Sequence, residues 1–207
     1  MGTRFATLHP SFCMELTLPI VVDHEKRRAD LVDIAANMIG RYGMKGATIR
    51  AVAAAAGYST KAVTHYFADK SELMFRVYSE AAQRAQVRFD NAVATDPCNL
   101  QLALEALLPL DAETLRDWKI FIGSWDLAFE EGIFLDRQLH WHRNARRIIA
   151  EVLAARRAHG LTDHADPAES PRLLMIVMGI ASQAIFDETL WSPANQRRVL
   201  ADELGRT

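Results

Sequence analysis

Several features that mark enzymes and cross-linked proteins are absent from this sequence of 207 residues. It has two cysteines, Cys13 and Cys98, and neither stands at a metal-ligand spacing, which favours a reduced protein over a disulfide scaffold or zinc site. Nucleophile elbows, phosphate-binding loops, zinc-protease helices and dinucleotide-binding glycine patterns are all missing. His140 and His142 are two residues apart on a predicted helix, so they point in different directions and cannot share a metal. We therefore predict no catalytic residue, no metal and no cofactor.

Long hydrophobic runs are also lacking. The longest apolar stretch, residues 173–186, is too short to span a bilayer and includes Gly179, Ser182 and Gln183. The stretch 16–22 contains Pro19 and is too short for the core of a signal peptide. We expect a protein with no membrane association.

The charge is divided unevenly along the chain. The formal net charge is -2, but residues 24–90 hold 11 Lys and Arg against 7 Asp and Glu, whereas residues 91–207 hold 12 against 17. A basic head on an acidic body suits a nucleic-acid binder, although an excess of this size is also common on ordinary surfaces. Half of the residues are hydrophobic, so the chain can bury a substantial core.

The stretch from Thr48 to Leu73 has the pattern of a helix-turn-helix. Thr48 is suited to cap a first helix, Gly57 to make the sharp turn and Ser59 to cap a second, short helix. Asp69 with Glu72 forms a capping pattern for the next helix. The second helix is polar near its N-terminus, as a helix that enters a major groove should be.

The run GATIRAVAAAAGYSTKAVTHYFADKSEL resembles the DNA-binding motif of the tetracycline-repressor (TetR) family, with which it shares Gly57, Ser59, Phe67, Lys70 and Leu73. Thr64 stands where the family often has tyrosine, and Lys61 stands where it often has glycine or proline. The segments VTHYF and LLPLDAETLRDW resemble its BetI-like branch of choline and betaine regulators. From the motif and the resemblance together we predict these DNA-binding residues: Thr48, Arg50, Ser59, Thr60, Lys61, Thr64, His65, Tyr66 and Lys70.

The remaining segments repeat apolar residues at helical spacing, and none alternates with period two. We predict an all-α protein of about nine helices. Residues 1–22 are expected to be a flexible leader in which Arg4 is an unstructured tail residue or a minor-groove arm. Residues 23–68 form the DNA-binding head, 69–96 a connecting helix that ends before Pro97, and 97–207 a body for effector binding and dimerisation.

An aromatic stripe on the predicted helix from Asp111 to Glu130 either fills the core or walls a cavity. The predicted effector-binding residues are Trp118, Phe121, Ile122, Trp125, Phe129, His140 and Trp141. The BetI-like resemblance implies a quaternary ammonium held against tryptophan near a carboxylate such as Asp126 or Glu130, but a flat or aliphatic effector suits these aromatics equally well.

The last two helices are so apolar that they either complete the monomer core or form a two-fold four-helix interface, and the resemblance favours the interface. The predicted interface residues are Leu174, Val177, Ala181, Ala184 and Ile185.

Together these observations predict a cytoplasmic bacterial transcriptional regulator, nucleoid-associated when bound. We expect a homodimeric repressor that binds a near-palindromic operator in double-stranded DNA and is released by an unknown small molecule. Two alternatives stay open: a helical ligand-binding protein or enzyme with a vestigial head, and a module that uses its helix-turn-helix for protein contact.

Overall fold

The computed structural model describes residues 24–130, 132–161 and 163–205. That part of the chain forms ten α-helices and one 3₁₀ helix and contains no strand, which confirms the predicted all-α class. The leader 1–22, with Arg4, lies outside the described residues. The elements in chain order are α1 (His24–Gly46), α2 (Ile49–Ala56), α3 (Thr60–Tyr66), α4 (Lys70–Thr95), α5 (Leu100–Glu105), α6 (Ala112–Gly123), α7 (Trp125–Glu130), α8 (Gly132–Ala158), the 3₁₀ helix (Pro167–Glu169), α9 (Ser170–Phe186) and α10 (Pro193–Leu204).

The first three helices pack around a small apolar centre. Leu31 and Ile39 of α1, Val52 of α2 and Val63 of α3 are all buried there, and Phe67 closes the group directly after α3. The helical spacing of apolar residues from Leu31 to Tyr42 predicts that the first helix ends at Gly43. Helix α1 is interrupted at Gly43, where φ is 70°, but one further helical turn follows to Gly46.

Helix α4 has buried residues along its whole length and connects the apolar core of the head to that of the body. Asp69 caps its first turn, and the helix runs for 26 residues, about 39 Å at 1.5 Å per residue, to end immediately before Asp96 and Pro97 as predicted. Its buried side is lined by Leu73, Val77, Tyr78, Ala81, Ala85 and Phe89. The same helix therefore touches both the head and the body.

The predicted helix from Asp111 to Glu130 is divided at Ser124, and this break adds the tenth helix. Ser124 is fully buried, and its hydroxyl donates a hydrogen bond of 2.7 Å to the carbonyl of Ile120. A hydroxyl that bonds back to the preceding turn favours a bend. Beyond the break, Trp125 is 42% exposed and Phe129 is 88% exposed, so the predicted stripe does not continue on one buried face.

The head also contacts the body through a close crossing of α1 and α6. A Cβ atom built on Gly123 would lie 2.7 Å from Cγ of Met44, and one on Gly40 would lie 3.0 Å from Cγ of Arg116. Arg116 Nη1 donates a hydrogen bond of 2.9 Å to Oδ1 of Asn37. The head is therefore joined to the body at two places, through α4 and through α6.

Within the described ranges, no helix combines the length and the apolar character needed to cross a membrane.

Candidate DNA-binding surface and ligand cavities

The turn between α2 and α3 has the geometry that its capping residues predict. Thr48 accepts a hydrogen bond from the backbone N–H of Ala51 at 3.1 Å, and Ser59 accepts one from Ala62 at 3.2 Å. Gly57 is left-handed, with φ 71° and ψ 24°, a conformation that favours glycine. These contacts fix the start of α3 relative to α2.

Helix α3 has one buried side and one exposed polar side. Val63 is completely buried and anchors the helix to α1 and α2. The exposed side presents four of the predicted DNA-binding residues, Thr60, Lys61, Thr64 and His65. The Thr64 hydroxyl donates to the carbonyl of Lys61 at 3.0 Å, which fixes its rotamer and leaves its oxygen able to accept a hydrogen bond.

A network of charged side chains joins the first turns of α1 to the start of α4. Arg28 of α1 forms an ion pair of 2.7 Å with Glu72 and lies over the ring of Phe67, with 5.2 Å from Cζ to the ring centroid. Glu72 also accepts a hydrogen bond from the backbone of Ala68, and its own backbone N–H donates to Asp69. Through these contacts Arg28 holds α1 against the start of α4.

The other five predicted DNA-binding residues lie at or next to the ends of α2, α3 and α4. Thr48, Arg50, Ser59 and Lys70 are exposed, and Tyr66 is half-buried. The Lys70 ammonium donates one hydrogen bond of 3.2 Å to the carbonyl of Met44, which uses one of its three donors.

Three rings meet where α1 begins beside α3. The ring centroids of His24 and Tyr66 are 5.7 Å apart, and those of His24 and His65 are 6.1 Å apart. His65 and Tyr66 also touch edge to face at 5.6 Å. The N-terminus of α1 thus supports the side chains on the outer face of α3.

A cavity of about 200 Å³ lies between α4 and α8. It is called the α4–α8 cavity below, and its wall is formed by Ser79, Ala82, Gln83, Ala85 and Gln86 of α4, Leu107, and Arg137, His140, Trp141, Asn144, Ala145 and Ile148 of α8. The side-chain amide of Asn144 donates to Gln86 across the cavity, and Gln86 donates in turn to Asp90. The wall therefore combines apolar side chains with hydrogen-bonded polar groups.

A second, more open depression of about 560 Å³ lies between α6, α8 and α9. We call it the α8–α9 groove, and its lining is Trp118, Ile122, Trp125, Leu139, His142, Arg146, Pro171, Leu174, Met175, Met178, Gly179 and Ser182. Burial, and after it the charge of Arg146, lowers the pKa of His142, which keeps that ring neutral at physiological pH. The groove is largely apolar.

Aromatic side chains separate the cavity from the groove. Trp141, in the wall of the cavity, meets Trp118, in the wall of the groove, edge to face with 6.3 Å between ring centroids. Phe121 lies between Trp141, at 5.6 Å, and Tyr78 of α4, at 5.4 Å. The indole N–H of Trp118 donates to the carbonyl of Leu107 at 2.8 Å. A displacement of Trp141 would therefore move rings that contact both α4 and α6.

Comparison with known proteins agrees with this arrangement. Residues 31–77 match the family described as "Bacterial regulatory proteins, tetR family". The chain is 26% identical over 187 residues to the HTH-type transcriptional regulator PksA of Bacillus subtilis, covering 88% of this chain and 90% of that protein. It is 30% identical over 149 residues to the HTH-type transcriptional regulator BetI of Burkholderia ambifaria, covering 66% of this chain and 71% of the relative.

The chain belongs to the TetR family. It is a helix-turn-helix transcriptional regulator, and the similarity to BetI agrees with the resemblance found in the sequence. A TetR-like fold is also seen in the crystal structure of a transcriptional regulator from Saccharomonospora viridis in complex with choline. The TM-score is 0.76 with 18% identity, and the match covers 88% of this chain and 97% of that one.

The predicted effector residues of this TetR-family chain do not line one cavity. His140 and Trp141 belong to the α4–α8 cavity, whereas the groove takes three others, Trp118, Ile122 and Trp125. Phe121 is buried between them, and Phe129 faces outward because of the break at Ser124. The carboxylates suggested as partners for an ammonium, Asp126 and Glu130, are exposed and line neither space.

The dimer-interface residues predicted on α9 also need correction. Val177, Ala181 and Ala184 are at most 1% exposed in the single chain, so these side chains pack inside it and cannot contact a second one. Leu174 is buried but borders the α8–α9 groove, and Ile185 is half-buried. The sequence did not reveal which side faces outward because α9 is apolar on nearly its whole circumference. Its exposed side carries Met175, Gly179 and Phe186.

Sequence reasoning missed the buried carboxylate of Asp117. This residue of α6 has no exposed side-chain surface and lies between Arg84 and Arg88 of α4. A usable signal was present, because Asp117 stands four residues before Phe121 and three after Thr114, on the buried side of the helix. A carboxylate at such a position needs a cationic partner.

No cluster of three or more potential metal ligands occurs in the ranges that the structure describes.

Proposed function

We propose that this TetR-family regulator is a cytoplasmic, non-catalytic, homodimeric repressor that leaves a near-palindromic operator when a small molecule occupies the α4–α8 cavity. In this proposal residues 23–68 read DNA, 69–96 connect, and 97–207 bind the effector and dimerise. One observation carries it: α4, which the Arg28–Glu72 ion pair joins to α1 of the head, also forms one wall of the cavity.

The recognition role is supported by the chemistry of α3. Lys61 offers a donor for the acceptor edge of guanine, and His65 and the Thr60 hydroxyl can donate or accept at other base edges. The Thr64 hydroxyl oxygen can accept there. Thr48, Tyr66 and Lys70 flank these residues and are suited to phosphate contacts, which hold register without reading sequence. One helix of seven residues reads few bases, so useful specificity requires a second copy at a symmetric half-site.

The dimer is supported by the exposed apolar surface around the α8–α9 groove. Met175 is 66% exposed, Trp125 42% and Leu139 41%, and all three border the same depression. Large apolar side chains that are exposed next to one another often mark a protein interaction surface. Two copies of α8 and α9 meeting about a two-fold axis would cover this area and form a four-helix bundle.

Effector coupling is supported by the two connections between head and body. A ligand between Gln86 and Trp141 contacts α4 directly and reaches α6 through the rings of Trp118 and Phe121. Helix α6 crosses α1 at Gly40 and Gly123, where close packing transmits small displacements. The effector needs to favour the conformation that does not bind DNA over the one that does by only about 1–3 kcal/mol. A coupling free energy of this size is sufficient for a 5- to 150-fold loss of operator affinity.

The experiment is a binding measurement on the full chain. Genomic fragments that it retains are selected, and fluorescence anisotropy then measures affinity for the enriched fragment and for a scrambled fragment of equal length. We expect at least 1,000-fold preference for the enriched fragment at physiological salt. Equal affinity for both fragments would contradict the proposal, as would turnover of a metabolite by a chain that shows no sequence preference.

A further inference from the structure

The charges in the wall of the α4–α8 cavity indicate which class of effector it takes. None of the described residues that form its wall is a carboxylate. The ionisable side chains among these residues are Arg137 and His140. A buried or half-buried cation favours an anion beside it and disfavours a second cation.

The guanidinium of Arg137 is held in place without being neutralised. It lies over the ring of Phe75 with Cζ 4.9 Å from the ring centroid. No carboxylate lies within 4 Å of it among the described residues. Stacking uses the face of the guanidinium and leaves its edge N–H donors available for a bidentate contact.

Neighbouring donors and an apolar wall complete the site. Ser79 also lines the cavity, and its Oγ has no hydrogen-bond partner in the described part of the chain. Leu107, Trp141 and Ile148 contribute apolar surface to the same wall. A space of about 200 Å³ therefore has both a charged group and apolar surface in its wall, so it suits a ligand with a charged end and an apolar end.

We infer that the effector is a small organic carboxylate, whose anionic group contacts Arg137 and whose apolar part lies against Trp141 and Ile148. This inference rests on the proposed function of the cavity. It separates the chain from a quaternary-ammonium receptor, because a trimethylammonium group needs several aromatic faces or a carboxylate and would here meet an arginine. The choline complex of the S. viridis regulator therefore does not extend to this cavity.

The test is isothermal titration calorimetry of the full chain with matched probes. Benzoate, hexanoate and 3-phenylpropionate are compared with their neutral amides and with choline. At least one carboxylate should bind, and its amide should bind roughly 10- to 100-fold more weakly, because a hydrogen bond to a charged group is lost. The inference is overturned if no carboxylate binds, if the amides bind as tightly, or if choline is preferred.

Variants of α8 test whether Arg137 is the cation that binds the carboxylate. Arg137→Gln should weaken carboxylate binding roughly 10- to 100-fold and remove the preference over the amide, and Arg137→Lys should retain part of that preference. Arg143→Gln is the matched control, because Arg143 is exposed on the same helix and lines neither the cavity nor the groove. Circular dichroism establishes that each variant is folded. Equal loss in Arg137→Gln and Arg143→Gln would overturn the inference.

Operator binding by the ligand-free chain is measured in parallel. If the chain binds its operator but no carboxylate, the inference fails and the DNA-binding proposal stands. If a carboxylate binds through Arg137 without changing operator affinity, the inference stands and the proposed release mechanism fails.

Discussion

The carboxylate of Asp117 on α6 is completely buried and is bound by Arg84 on α4, with 2.6 Å between Arg84 Nη2 and Asp117 Oδ1. Arg88 contributes a second contact of 3.2 Å to Oδ2. Burial alone would lower the pKa of Arg84, but hydrogen bonding and charge, chiefly from Asp117, outweigh burial and raise it. These contacts fasten the connecting helix to the helix that crosses α1.

Removing the Asp117 charge should therefore destabilise the whole protein. Asp117→Asn removes the buried carboxylate that lies closest to the partly buried Arg84, and breaking a buried pair in this way costs about 3 kcal/mol of unfolding free energy. Glu113→Gln is the control, because Glu113 lies 3.6 Å from Arg84 but is 57% exposed and should change stability by less than about 0.5 kcal/mol. Urea unfolding measures both. Equal stability of Asp117→Asn and wild type would show that this pair does not hold α4 to α6.

The helix-turn-helix could be predicted because its signals are local. Thr48, Ser59 and Asp69 each cap the helix that the sequence assigns to them, and Gly57 is left-handed as the turn requires. Each of these contacts spans three or four residues, so spacing alone is sufficient to find it.

The effector and interface predictions were less accurate because they depended on distant contacts. The break at Ser124 follows from packing that buries its hydroxyl, and neighbouring residues give no comparable signal. Which side of α9 faces inward depends on α6, α8 and α10, since apolar residues occur on all sides of it. Arg137 was missed because its importance lies in having no carboxylate within 4 Å among the described residues, which only the fold reveals.

Two lysines of the head should affect DNA binding differently. Lys70→Ala removes a proposed phosphate contact, so all DNA sequences should be bound more weakly and the salt slope should fall by about one. Lys61→Ala removes a proposed base contact, so discrimination at one operator position should fall by about 1–3 kcal/mol. Anisotropy titrations at several salt concentrations, with operator variants, separate the two effects. Unchanged preference among operator variants in Lys61→Ala and in His65→Ala would mean that α3 does not read the bases.

Charged residues on the two sides of α9 should have different consequences. Met175→Glu places a charge on the exposed side that borders the groove, so it should yield a folded monomer. Val177→Glu buries an unpaired charge in the core of the single chain, so it should lose helical structure as well. Sedimentation velocity and circular dichroism distinguish these results. A folded, dimeric Met175→Glu would place the interface elsewhere.

The contact between His164 and Glu169 predicts a pH-dependent contribution to stability. Burial raises the pKa of the Glu169 carboxyl, but hydrogen bonds from His164 and Arg172 outweigh it and lower the pKa. The ionised carboxylate therefore stabilises the folded state above its unfolded pKa, near 4.5, and this contribution is lost as the pH falls through the folded pKa.

Glu169→Gln should accordingly be less stable than wild type at pH 7, by up to about 1 kcal/mol, and the difference should shrink as the pH falls from 6 to 3. Thermal unfolding across this range measures the difference. Glu151→Gln is the control, because Glu151 and its partner Arg147 are both exposed and the difference should be small at every pH. A Glu169→Gln difference that stayed constant with pH would exclude this linkage.

The most direct test of the central claim is a hydroxyl-radical footprint of the full chain on its enriched genomic fragment. Two copies of α3 in successive major grooves predict two protected half-sites related by two-fold symmetry, with centres 34–36 Å apart or a multiple of that distance. Protection should disappear in the double variant Lys61→Ala/His65→Ala at a concentration that saturates the wild type. A continuous footprint without symmetry, or one that the double variant leaves unchanged, would contradict the account.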